Sequence, residues 1–211
     1  YKRTAPLAAK THCEQFSLRL KPLIKIIKNN FKFYLYRIYM RGANMADIKI
    51  IVDSGSDIPQ DIADKYNIGV ISFLSIFGTE QYVQRTEITN EQFFDKLEEY
   101  DGIPTTSQTP FGDMLDYFKQ QCEEHESVIY FALSSAASGQ YQTANLVKSE
   151  IEEENPNADF HIVDTQKFSL YIAQTAVHAA QMAKDGKSVD EIITECEKYI
   201  KTWRCYLLVI R

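Results

Sequence analysis

Val128–Leu133 is a nearly continuous apolar run, the pattern of a strand buried on both faces, and it stops at six small residues, Ser134–Gly139. From Tyr141 the spacing changes. Ala144, Leu146, Val147 and Ile151, separated by acids and a lysine, predict an amphipathic helix that starts at the small-residue turn. The same alternation runs through the rest of the chain from Met45. Ile48–Val52 reads as a β-branched strand, Ile58–Tyr66 as a short helix with Pro59 near its first turn, and Val70–Phe73 as a returning strand. Ser75–Glu87 is expected to be a polar connection. Thr89–Gln92, TNEQ, is a capping box, and Phe93, Phe94 and Leu97 predict a buried face for the helix it opens, which ends near Asp101 and Gly102. Pro110 introduces a further amphipathic run through Met114, Leu115 and Phe118, with Thr109 as its expected cap. Asp159–Val163 predicts a strand, and Leu170–Lys184 an alanine-rich helix ended by Asp185 and Gly186. SVDE at Ser188–Glu191 is a second capping box for a helix running to about Thr202, and Cys205–Ile210 is a last apolar strand. Strands and helices alternating at these lengths predict an α/β fold, a mostly parallel sheet with helices on both faces.

Two turns carry candidate chemistry. Ser134–Gly139 lies between a buried strand and a helix N-terminus, where unpaired backbone N–H groups and the positive end of the helix dipole favour an anion, and Ser134, Ser135 and Ser138 add hydroxyls. Ser138 also suits the ordinary task of an N-cap, so the turn alone does not decide. The second turn is Thr105–Thr109, TTSQT, between Pro104 and Pro110; within it Thr106 and Ser107 have no evident structural duty and are free to bind a ligand. Asp53 and Ser54 follow the first strand, where a parallel sheet presents ligand groups, although an Asp-Ser turn can equally well only cap a helix.

Charge separates the chain into two parts. Residues 1–44 carry ten Lys or Arg and a single acid, whereas the whole chain has a net charge of −6. The acidic body has no basic stripe, which argues against nucleic acid as a partner. The basic segment 1–44 reads as an extension without a fold of its own; Leu23–Met40 is too often interrupted by lysine to span a membrane but suits transient contact with an anionic membrane surface. Cys13, Cys122, Cys196 and Cys205 have no C-x-x-C or metal-ligand spacing, so neither a disulfide framework nor a metal site is expected, and the pattern suits a reducing cytoplasm. No G-x-G-x-x-G, Walker lysine motif or G-x-S-x-G elbow is present.

IIVDSGSD at Ile50–Asp57, TTSQTP at Thr105–Pro110 and SSAASGQYQTA at Ser134–Ala144, followed by VDT at Val163–Thr165, together resemble the DegV family over residues 48–210. That family includes the fatty-acid-binding, FakB-type subunits of bacterial fatty acid kinase. The resemblance implies a cytoplasmic carrier and not an enzyme: one fatty acid is held with its tail buried, and its carboxylate is offered to a separate fatty acid kinase catalytic subunit for phosphorylation. The acyl phosphate feeds phospholipid synthesis, and no cofactor is implied. Carried over, Thr106 and Ser138 hydrogen-bond the carboxylate with Ser107 beside them, and Gly139 admits the backbone closely; Asp53, Ser54, Ser135 and Gln140 are further candidates. Gln140 stands where the family usually has threonine, and Ser169–Ala173 is bulkier than the family's usual turn. The resemblance also implies that residues 45–203 form the family's first domain, with 204–211 the start of a second that is missing along with its Arg and His ligands. Two other readings stay open: a serine-dependent enzyme with Ser138 as nucleophile acting on a small anionic or acyl substrate, and an incomplete fragment without activity.

Overall fold

In the computed structural model the described residues are 47–204. The expectations for the basic segment 1–44 and for a strand at Cys205–Ile210 lie outside them. Strand β1 (Ile48–Asp53) and strand β6 (Ser127–Ala132) form the centre of a parallel four-stranded sheet, flanked by β2 (Gly69–Ile71) and β7 (Phe160–Asp164) in the order β2-β1-β6-β7. The register pairs Ile50 with Ile129 and Ile51 with Tyr130. Because successive strand residues point to opposite faces, Ile50, Val52, Ile129 and Phe131 enter one core and Ile51, Val128, Tyr130 and Ala132 the other.

The first core is closed by α1 (Gln60–Tyr66), α5 (Leu170–Lys184) and α6 (Val189–Thr202), and the second by α3 (Phe111–Glu124) and α4 (Gln140–Glu154). Helices therefore cover both faces, which is why Ile50–Val52 and Val128–Ala132 at the centre of the two strands are unbroken apolar runs. Both capping boxes form. The Thr89 and Ser188 hydroxyls accept from the amides of Gln92 and Glu191, whose side chains accept from the cap amides in return. They open α2 (Asn90–Glu99) and α6.

Two expectations fail. Ser75–Glu87 is not a plain connection: β3 (Leu74–Phe77) and β4 (Glu80–Val83) form a hairpin across a turn with Gly78 at φ +63, and β5 (Thr105–Ser107) adds to it in an antiparallel sheet ordered β4-β3-β5. The buried positions of β3 are Ser75 and Phe77, so a serine occupies a place where alternation calls for an apolar residue, and the strand pattern is hidden. The buried face expected for α2 is also absent. No residue of that helix is buried and Phe94 is 61% exposed. Phe93 packs edge-on against Phe77 of the small sheet, with ring centroids 5.3 Å apart, and Phe94 is left outside.

Candidate functional site

The chain reverses direction across the main sheet between β1 and β6: β2 lies to one side of β1, and β6 and β7 to the other. In an open parallel sheet the crevice for a ligand opens at the carboxyl ends of the strands at such a point. Asp53 ends β1 there and is fully buried; its Oδ2 accepts from the Leu133 amide (2.6 Å) and the Tyr130 hydroxyl (3.2 Å), tying the ends of β1 and β6 together. Its Oδ1 is buried without a well-formed hydrogen bond, although the Gly55 amide is near enough to favour the anion. Burial dominates, and the carboxyl pKa is pushed up to about 6. Asp53 thus faces the protein's own groups. At the end of β7, Asp164 accepts from the amide (3.1 Å) and hydroxyl (2.6 Å) of Ser135, so the proton of that serine is committed within the turn.

The small-residue turn then delivers the chain to α4, whose first turn carries no acid to offset its dipole. The N-cap residue is Gly139 and not Ser138; Ser138 Oγ instead accepts from the Gln140 amide at 3.2 Å, and its own proton has no partner among the described residues. Gly139 is hemmed in by the second turn, since a Cβ placed there would lie 2.5 Å from Gln108 Oε1.

That second turn lies directly against the first. Gln108 Nε2 donates to Thr143 Oγ1 (2.9 Å), the Thr109 amide donates to Gln140 Oε1 (3.1 Å), and Gln140 Nε2 donates to Thr109 Oγ1 (3.0 Å). Thr109 was expected to cap α3. It is buried instead, donating its hydroxyl to the Ser72 carbonyl at 2.8 Å, and Pro110 occupies the N-cap without a side-chain bond. Gln140, one of the head-group candidates, is fully buried with both ends of its amide given to Thr109. Thr106 remains exposed on β5, and among the described residues its hydroxyl has no partner; Ser107 makes only a 3.3 Å bond to the Gln108 carbonyl. Two hydroxyls without acceptors therefore flank this seam, Thr106 on β5 two residues before Gln108 and Ser138 two residues before Gln140.

A cleft of about 670 Å³ opens beside the small sheet, between the turn after β1 and the start of α2. Ser54, Ser75, Gln84 and Arg85 line it together with Ile58 and Phe93. Ser75 is the register partner of Thr106, so the cleft reaches the strand neighbouring that hydroxyl. Arg85 is held over the start of α1, donating to the Ile58 carbonyl and Gln60 Oε1, both at 2.7 Å. Sequence reasoning missed Ser75, Gln84, Arg85 and Gln108. The only signal for Gln108 is its place in the TTSQTP motif, and the other three lie in Ser75–Glu87, whose polar letters hide the strands.

The described histidines are engaged elsewhere: His125 with Asp47 (2.8 Å), His161 with Asp159 (2.7 Å) and His178 stacked near Tyr199. None is hydrogen-bonded to Ser138, as a serine nucleophile would need. Among the described residues no helix is long and apolar enough to cross a membrane, and no group of three His, Cys, Asp or Glu side chains is placed to hold a metal.

Comparison with known proteins identifies the lineage. A DegV domain-containing protein of Clostridium perfringens is 34% identical over 157 residues, 73% of this chain and 53% of that protein. The crystal structure of DegV, a fatty acid binding protein from Bacillus subtilis, superposes with a TM-score of 0.68 at 27% identity, covering 74% of this chain and 54% of that one. A DegV family protein from Thermus thermophilus, described for its fatty acid binding, gives 0.65 at 28% identity over 74% and 54%. The chain thus spans about half the length of the relatives it matches. A family model described as "Uncharacterised protein, DegV family" matches residues 47–211, and the chain belongs to the DegV family.

Proposed function

We propose that this protein binds a long-chain fatty acid, grips its carboxylate between Thr106 and Ser138 at the N-terminus of α4, and presents it to a separate fatty acid kinase. The observation that carries this reading is the seam of hydrogen bonds from Gln108 and Thr109 to Gln140 and Thr143, which holds two unengaged hydroxyls on adjoining turns. Solved relatives of the same fold are described as fatty-acid-binding. The carboxylate gains only ~0.3–2 kcal/mol from the helix dipole, whereas about a dozen buried methylenes contribute roughly 10 kcal/mol before ordering costs. The tail therefore supplies the affinity and the hydroxyls supply orientation, a division that suits a carrier. The cleft of about 670 Å³, walled by Ile58 and Phe93, is within the size range of lipid and small-molecule sites and is the candidate seat for acyl carbons. Kinase partnership and a role in the cytoplasm belong to this proposal, as does acyl phosphate production for phospholipid synthesis.

Organic extraction of the purified protein followed by mass spectrometry tests it. A fatty acid in near-equimolar amount is expected, and acyl phosphate should appear only when a fatty acid kinase and ATP are added. A protein that carries no lipid and takes up no added palmitate would overturn the reading. The serine-enzyme alternative gains support only if a serine-directed phosphonate modifies Ser138 stoichiometrically.

A further inference from the structure

A directed run of hydrogen bonds ends in a spare proton on the wall of the cleft. The Phe73 amide donates to Ser54 Oγ (3.0 Å), and Ser54 donates its own proton to Gln84 Oε1 (2.7 Å). This turns the other end of the Gln84 amide toward Ser75, and Nε2 donates to Ser75 Oγ at 3.0 Å. An amide nitrogen cannot accept, so the Ser75 proton must point elsewhere. Among the described residues it finds no acceptor. Reversing the amide would not remove the surplus, because Ser54 would then accept from both neighbours and its own proton would be the one left over.

Ser75 is 1% exposed and lines the cleft. A buried hydroxyl proton without an acceptor costs free energy until something fills that place. Ser75 and Thr106 are register partners on antiparallel strands, so both side chains leave the small sheet from the same face, with Cβ atoms about 4.5–5.5 Å apart. Arg85 stands on the same cleft wall. Asp57 lines the cleft beside Arg85, and the guanidinium is already given to Ile58 and Gln60, so the selection rests on the hydroxyls. A surplus buried donor and a neighbouring free hydroxyl select a group that accepts from both, as the two oxygens of a carboxylate can.

We infer that Ser75, oriented by Gln84 and Ser54, is a further head-group donor that acts with Thr106 on a carboxylate. This inference rests on the fatty-acid reading and adds to it a residue outside the motifs that suggested that reading.

The test compares palmitate with methyl palmitate, binding to the full chain and its variants being followed by displacement of a fluorescent fatty acid. Ser75→Ala should weaken palmitate about 10-fold or more and methyl palmitate by less than about fivefold, because a hydrogen bond to a charged acceptor is worth more than one to a neutral ester. Ser75→Thr, which keeps the hydroxyl, should stay within about threefold of the parent for both ligands. A merely structural role for Ser75 would weaken both ligands alike, and that outcome overturns the inference, as does unchanged palmitate affinity in Ser75→Ala. If Ser75→Ala lowers the unfolding midpoint, Ser75→Cys gives the same comparison with a weak donor of nearly the same shape. Failure of the parent protein to bind palmitate would instead overturn the fatty-acid reading itself, and the two failures are distinct.

Discussion

Gln140 and Thr109, 31 residues apart, hold each other by two hydrogen bonds, amide to Oε1 at 3.1 Å and Nε2 to Oγ1 at 3.0 Å. Both residues are buried, so the pair is a clamp shielded from water. It joins the start of α4 to the turn before α3, and the Thr109 hydroxyl extends it to Ser72 after β2. On the other side the Gln140 amide favours ionisation of the Tyr130 phenol, whose pKa burial nevertheless drives well above its ordinary value. The clamp is thus one stretch of a buried polar line from Asp53 through Tyr130 to the TTSQTP turn.

Breaking the clamp should cost stability and ligand affinity together. Gln140→Ala leaves the Thr109 amide buried without a partner, which costs about 1–3 kcal/mol. Urea unfolding should show a lower midpoint with an unchanged slope. Gln140→Thr is too short to make both bonds and should fall between alanine and the parent. Palmitate affinity should follow the same order, since Thr106 and Ser138 keep their spacing only while the turns are joined.

Gly139 and Gln108 are a second point of contact, where the outcome depends on what yields. A Cβ at residue 139 would meet the far end of the Gln108 side chain at 2.5 Å, and that end can swing away. Gly139→Ala should therefore cost only the Gln108 to Thr143 bond, about 1 kcal/mol. In a double-mutant cycle, adding Gly139→Ala to Gln108→Ala should cost almost nothing further, because the group it displaces is already gone. Additive losses would place the strain in the backbone instead.

The main sheet and most helices were legible because their signals are local and redundant. Ile50–Val52 and Val128–Ala132 are apolar on both faces of their strands, and the helix from Leu170 to Lys184 has a clear period and a Gly186 stop at φ +79. The Thr89 and Ser188 boxes follow from four consecutive letters each. What stayed hidden depends on contacts between distant residues. β5 is Thr-Thr-Ser, with no apolar residue to mark it as a strand, and it exists because β3 offers it an edge. Ser75 looked like one more polar connector, and Gln140 like a head-group ligand, because nothing near either residue in sequence tells which distant polar group it will meet. The Thr106 and Ser138 turns were legible as motifs, but the clamp that joins them was not.

Asp53 should make stability depend on pH in the direction opposite to an ordinary paired carboxylate. Burial lifts its folded pKa to about 6 from the ordinary 3.8, so between these values the folded state binds more protons than the unfolded state. Its contribution is complete below about pH 4 and lost as pH rises through about 6, a difference on the order of 3 kcal/mol. Asp53→Asn keeps an acceptor for Leu133 and Tyr130 without the buried charge. It should be more stable than the parent at pH 7, and the gap should close on acidification toward pH 4. Urea midpoints of both proteins across this range measure the gap directly, and a gap that does not change with pH would mean that Asp53 titrates normally.

Ser169 offers a test of stored strain. It sits at φ 56, ψ −139, a conformation open to glycine and costly for serine, just before α5. Its amide donates to the Gly55 carbonyl at 2.9 Å, which anchors the start of the helix to the turn after β1, and a glycine amide makes the same bond. The side chain gives little in return: among the described residues the Ser169 hydroxyl has no partner, and it does not cap the helix. Ser169→Gly should relieve about 1–3 kcal/mol of strain against ~0.5–1 kcal/mol of extra chain entropy, a net gain of about 1 kcal/mol. In a domain of this size that raises the thermal midpoint by roughly 2–4 °C. Ser169→Ala keeps the Cβ and should gain nothing, so a difference between the two variants in differential scanning calorimetry isolates the backbone contribution, and equal midpoints would show that residue 169 holds no strain.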